Sequence, residues 1–154
     1  MSQSQTYRGG RVTDEPTEPQ RMRYPCMARQ CMMPGSIFPA GAKEGVCAWH
    51  YGTNASDWPR ITQILLDWGC VAYEINEARR VFTDPETRCA PKVLDQLYKT
   101  AWERLQPLVP GWEDALAPGK TKAGFAESYG DWARRLEKFL GTQVHASISA
   151  RRAA

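Results

Sequence analysis

One stretch of this chain limits its fold more than any other: residues 24–52, YPCMARQCMMPGSIFPAGAKEGVCAWHYG. Three of the five cysteines and one of the two histidines fall inside it, as Cys26, Cys31, Cys47 and His50, in the order C-x4-C-x15-C-x2-H. The residues between them include Pro34-Gly35, Pro39, Gly41 and Gly45, which form turns and contribute little apolar core. Such a segment needs a cross-link. Both pair spacings lie in the range from which two donors can close on one ion. A tetrahedral Zn2+ held by three thiolates and one imidazole would supply the link, with a binding free energy of roughly 10–16 kcal/mol at neutral pH. Four protein donors fill the coordination sphere and leave no position for water. The expectation is therefore one structural Zn2+ per chain. The simpler alternative is three buried thiols beside a surface histidine. A disulfide framework is disfavoured by the odd number of cysteines, five in all.

Composition sets the class. At 154 residues and 42% hydrophobic, the chain has material for one domain, or for a small module joined to another. No apolar run is long enough to span a membrane. The start, MSQSQTYRGGRV, lacks the apolar stretch of a signal peptide, which predicts a chain in a reducing cytoplasm.

Residues 24–52 also resemble a module found in short proteins of tailed phages and proteobacterial prophages. That module runs Cys, a few residues, Cys, a Pro-Gly stretch, then Cys-x2-His and an aromatic. The resemblance implies ligand status for Cys26, Cys31, Cys47 and His50, and the cytoplasm of a host cell as the setting. It also implies an association with nucleic-acid metabolism or with regulation of a host machine. It covers about one fifth of the chain and carries no defined activity.

The remainder reads as helices. Ile61, Ile64, Leu65, Trp68, Val71, Ala72, Ile75 and Phe82 recur in steps of three and four, which predicts an amphipathic helix of roughly twenty residues. Ser56 or Asp57 caps it, and Pro59 fits its first turn. TDPE at 83–86 reads as a break and a capping box from Thr83 to Glu86. A second helix carries Leu94, Leu97, Tyr98, Ala101, Leu105 and Leu108, and ends at QPLVPGW. Residues 110–124 read as a loop with one short helical turn. A third helix carries Phe125, Tyr129, Trp132, Leu136, Phe139, Leu140 and Val144, with Gly141 placed to cap its end. The only strand pairing expected is a small hairpin within 30–47.

The fold class is thus mainly α: a small N-terminal Cys3His zinc module packed on a bundle of about three amphipathic helices. The divisions are a flexible tail at 1–20, the zinc module at 21–58, the bundle at 59–146 and a flexible basic tail at 147–154. Trp68, Trp102 and Trp132 belong to the core. Trp49, Tyr51 and Trp58 flank the metal pair, either to join module and bundle or to stack on bases or a protein partner.

Charge is unevenly spread. Residues 21–60 hold Arg21, Arg23, Arg29, Lys43 and Arg60 against Glu44 and Asp57. Residues 61–150 hold eleven basic and twelve acidic side chains. Zn2+ on three thiolates lowers the module's net charge by one. Arg79-Arg80 and Arg134-Arg135 alternate with acidic residues and read as solvated helix faces.

Sites for known chemistries are missing from the sequence. GKT at 119–121 lacks the glycine and strand of a phosphate loop. His145 has no visible catalytic partner in the sequence. Cys70 falls near an apolar face and Cys89 in a helix break. The zinc-deaminase signature is absent. Two non-enzymatic readings follow. One is a nucleic-acid-associated accessory or regulatory factor in transcription or replication, touching its ligand through Arg21, Arg23, Arg29, Lys43, Trp49 and Arg60. The other is an adaptor or inhibitor that binds a host or phage protein, with zinc purely structural.

Overall fold

In the computed structural model the described residues are 26–35, 37–38, 43–120 and 126–153. Arg21, Arg23, Pro39, Gly41, Phe125 and the segment 1–20 lie outside them. The chain divides into two compact units, Met1–Thr62 and Gln63–Ala154.

The first unit is mostly turns. Its one backbone pairing among the described residues is an isolated antiparallel bridge between Ile37 and Val46, where a small hairpin is expected. A 3-10 turn, Ala55–Asp57, leads into α1 (Trp58–Asp67), and the division between units falls inside that helix. Asn54 caps that 3-10 turn, its side chain accepting from the Ser56 N–H at 3.0 Å and from the Ser56 hydroxyl at 2.8 Å, and Asp57, directly before α1, is buried. Pro59 lies in the first turn of α1, where its missing N–H costs nothing.

The second unit is helical. The long helix expected from Ile61 onward is two helices, α1 and α2 (Gly69–Thr83). Trp68 leaves helical geometry at φ −105°, ψ 32°. Gly69 follows, the poorest helix former after proline. The backbone bonds Trp68 N–H to Ile64 O and Ala72 N–H to Trp68 O continue across the break, so it is a kink and not a loop. Trp68 meets Trp112 and Phe139 edge to face, at 5.3 and 4.9 Å between ring centres.

A four-residue helix, α3 (Pro85–Arg88), is capped by Asp84, which accepts from the Glu86 N–H. Thr83 does not cap it: its hydroxyl donates back to Arg79 O within α2. Then come α4 (Pro91–Leu105), a 3-10 turn Gln106–Leu108 at the proline pair, the short α5 (Glu113–Leu116) and α6 (Tyr129–Ala153). Gly141 does not end α6, which continues to Ala153 through most of the segment read from sequence as a flexible basic tail.

The core of this unit is built by α2, α4 and α6. Val71, Ile75, Ala78, Leu105, Trp132, Leu136 and Leu140 are all at most 3% exposed. Trp132 donates its indole N–H to Leu116 O at 2.7 Å, which leaves the buried ring no unsatisfied donor. Trp102 is only half-buried, and Leu108 is exposed while its neighbour Val109 is buried. Glu74, 1% exposed, accepts from Arg104 Nε and Nη2, each at 2.7 Å, in a two-pronged ion pair. No helix among the described residues is long and apolar enough to cross a membrane.

Candidate metal centre

The cysteine-histidine segment closes on itself. Its first loop is pinned by Cys26 N–H to Met33 O at 2.8 Å and by Met27 N–H to Gly45 O at 2.9 Å. Within it, Cys31 N–H bonds Ala28 O at 3.0 Å across a tight turn, and Gln30 takes the left-handed conformation at φ 65°. That turn brings Cys26 and Cys31 side by side. At the other end, Cys47 O accepts from the N–H groups of His50 and Tyr51, a single helical turn that places Cys47 and His50 on one side. The two halves meet at Gly45. A Cβ there would lie 2.0 Å from Gly35 O, so only glycine fits. The sequence carries that glycine, but nothing local shows what would stand against it.

The four donor atoms of Cys26, Cys31, Cys47 and His50 lie within 4.8 Å of one another, and all four residues are buried. Cys31 Sγ to Cys47 Sγ is 4.0 Å, about twice a disulfide bond length. His50 Nδ1 lies 3.4 Å from Cys26 Sγ and 3.2 Å from Cys47 Sγ. A tetrahedral ion with metal–sulfur bonds near 2.3 Å and metal–nitrogen bonds near 2.0 Å has donor–donor edges of about 3.5–3.8 Å. The donor set therefore fits one such cation.

The surroundings fit too. The Cys47 N–H donates to Cys26 Sγ at 3.2 Å. Backbone N–H groups of Ala28, Met33 and His50 also face Cys26, Cys31 and Cys47 respectively and favour the thiolate, a contribution outweighed by burial at Cys26 and by the Cys47 contact and burial at Cys31. On the far side of the imidazole, Nε2 is 3.1 Å from Thr62 Oγ1 and 3.4 Å from Trp58 O. A cation on Nδ1 leaves the proton on Nε2, which then donates to these oxygens and fixes the ring. Trp58 covers the imidazole edge-on at 5.4 Å, and its indole N–H donates to Thr53 Oγ1 at 3.1 Å. Thr53 in turn donates to His50 O at 2.7 Å. Thr53 and Thr62, whose hydroxyls hold the histidine from both sides, carry no signal in the sequence beyond their nearness to it.

The Cys31 thiol, bonded to Cys47, pulls the Cys47 pKa down, while the same bond and then burial push Cys31 up. Burial also raises Cys26. Three thiolates in one buried site need a positive charge among them, which is the service a divalent ion performs.

The other sequence candidates are dispersed. Arg29, Lys43 and Arg60 are exposed on the same unit and form no ion pair among the described residues. Trp49 is half-buried, and its indole N–H has no hydrogen-bond partner among the described residues. Tyr51 is exposed. Cys70 is half-buried with its pKa raised by burial, Cys89 is exposed, and His145 is exposed on α6. No family model, curated protein or solved structure matches this chain.

Proposed function

We propose that this chain is a non-enzymatic accessory or regulatory factor of nucleic-acid metabolism, built on a structural Zn2+ site. Cys26, Cys31, Cys47 and His50 would hold the ion, which bridges two loops that have little other core. Zinc is the choice for three thiolates and an imidazole in a closed tetrahedral site.

One observation carries the nucleic-acid part. Arg29, Lys43 and Arg60 are exposed and outside any ion pair among the described residues, while the buried Asp57 and exposed Glu44 are the only acidic side chains in 26–62. Exposed cations on a small rigid unit suit phosphates. The protein-binding reading draws on Met27 and Met32, 43% and 79% exposed, because flexible thioethers adapt to apolar partners.

Salt separates the two. Each phosphate contact contributes about −0.7 to −0.9 to the slope of log K against log salt. Three contacts give a slope of about −2 to −3. The triple variant Arg29→Ala, Lys43→Ala, Arg60→Ala should keep its metal and lose most of that slope. Binding that ignores salt, or is unchanged in the triple variant, refutes the reading.

A further inference from the structure

We infer that the ligand of the metal-centred unit is single-stranded nucleic acid, with bases stacking on Phe38 and Tyr51 and phosphates meeting Arg29, Lys43 and Arg60. The inference rests on the nucleic-acid reading above and goes further by choosing the strand form.

Phe38 is 59% exposed and Tyr51 54% exposed. Rings of this size normally lose most of their surface to a core, because they bring so much apolar area. The exposed aromatics of the helical unit have neighbours: Arg104 lies over Tyr73 at 5.2 Å, and Trp112 meets Trp68 and Phe139. Phe38 and Tyr51 stack on no other ring among the described residues. Both faces of a base are apolar and polarisable, so an open ring beside a cation is a sequence-tolerant seat for a base.

The positions cohere. Arg29 lies two residues before Cys31, Lys43 four before Cys47, and Tyr51 one after His50. Four residues span at most about 14 Å. All three therefore lie within that reach of one cluster whose donors are within 4.8 Å of one another. Phe38 joins them through space. Its ring edge would be 3.2 Å from a Cβ on Gly45, which places it beside the backbone two residues from both Lys43 and Cys47. Exposed aromatic and cationic residues thus alternate along the chain close to one small scaffold, in the order Arg29, Phe38, Lys43, Tyr51 and Arg60.

Duplex reading asks for something else. A major groove is read by a helix or a two-stranded ribbon. Among the described residues from 26 to 57 there is only an isolated bridge and one 3-10 turn. Ile61 and Thr62, in the first turns of α1, point inward. Among the described residues, the turns at 26–57 offer rings to an unpaired base and present no helix or ribbon to a groove.

The test uses the full zinc-loaded chain and a labelled mixed-sequence DNA oligonucleotide of about 16 nucleotides, within the range of single-strand site sizes. It is measured alone and annealed to its complement, by anisotropy at fixed salt. The single strand should bind at least tenfold tighter. Phe38→Leu and Tyr51→Leu should each weaken it about fivefold or more, with zinc content and salt slope unchanged. Phe38→Trp and Tyr51→Trp should bind at least as tightly as the parent, which guards against a leucine variant that fails through misfolding. Equal or tighter duplex binding, or leucine variants that bind like the parent, overturns the inference and leaves the nucleic-acid reading standing. If neither form binds, both fail together.

Discussion

The two units of this chain solve the problem of stability by opposite means. In the first, the buried side chains include the four cluster donors, with Ala28, Met33 and Val46 around them, on a backbone of turns. In the second, three long helices bury branched and aromatic side chains against one another, from Val71 to Val144. Their charges differ in the same sense. Arginines 79, 80, 104, 134 and 135 of the helical unit are ion-paired, whereas Arg29, Lys43 and Arg60 of the first unit form no ion pair among the described residues. A core of apolar faces leaves the surface charges free to pair with one another.

Removing the cross-link should give the largest effect. Cys47→Ser, or a strong chelator, removes an ion whose binding is expected to supply roughly 10–16 kcal/mol. Hydrogen exchange should show protection lost at 26–62 and kept at the core positions 71–144. If protection falls equally in both, the contrast between the units is wrong. If it falls in neither, the cluster is not what holds the first unit.

The reverse experiment targets the apolar core. Leu136→Ala should cost the helical unit about 2–5 kcal/mol, because Leu136 is fully buried. Metal content should not change. A loss of metal in this variant would show that the first unit depends on the second for its site.

A smaller effect is expected at the buried ion pair. Arg104→Met leaves Glu74 desolvated without its counter-charge. Breaking a fully buried pair costs about 3–5 kcal/mol. The Arg104 side chain is 38% exposed, so about 2 kcal/mol is expected by denaturant titration. Glu74→Leu with Arg104→Met should recover most of it. No recovery would mean that the pair sets the packing of the helices.

The smallest effect sharpens the first comparison. Thr62→Val removes the oxygen nearest to His50 Nε2. Loss of such an outer partner lowers metal affinity about 10–100-fold. The Trp58 carbonyl, 3.4 Å away, remains to accept, so the lower end is expected. Competition with a chromophoric chelator reads it directly. An unchanged affinity would show that the Trp58 carbonyl alone orients the ring.

Much of the candidate centre is legible in the order of residues alone. C-x4-C and C-x2-H are local spacings, and each brings its two donors together through a few residues of turn. Helix periodicity is local in the same way. It places Tyr129, Trp132, Leu136, Leu140 and Val144 on one buried stripe, as the sequence pattern predicts. Element ends are less legible. Asp84 and Thr83 are both good caps, and the choice depends on one hydroxyl turning back to Arg79. The partners that meet Trp68 at its kink, Trp112 and Phe139, lie far along the chain.

By itself, then, the sequence determined the helical class, the four donors and the excess of basic side chains near them. All of these follow from residue identity and short-range spacing. Only the tertiary structure decided that His50 turns Nδ1 to the thiols and Nε2 to Thr62, and that glycine at 45 is required by Gly35. It also decided that Arg104 belongs to Glu74, while Arg29, Lys43 and Arg60 stay exposed. Burial and pairing join groups up to dozens of residues apart, and no local pattern in the chain records which of them will meet.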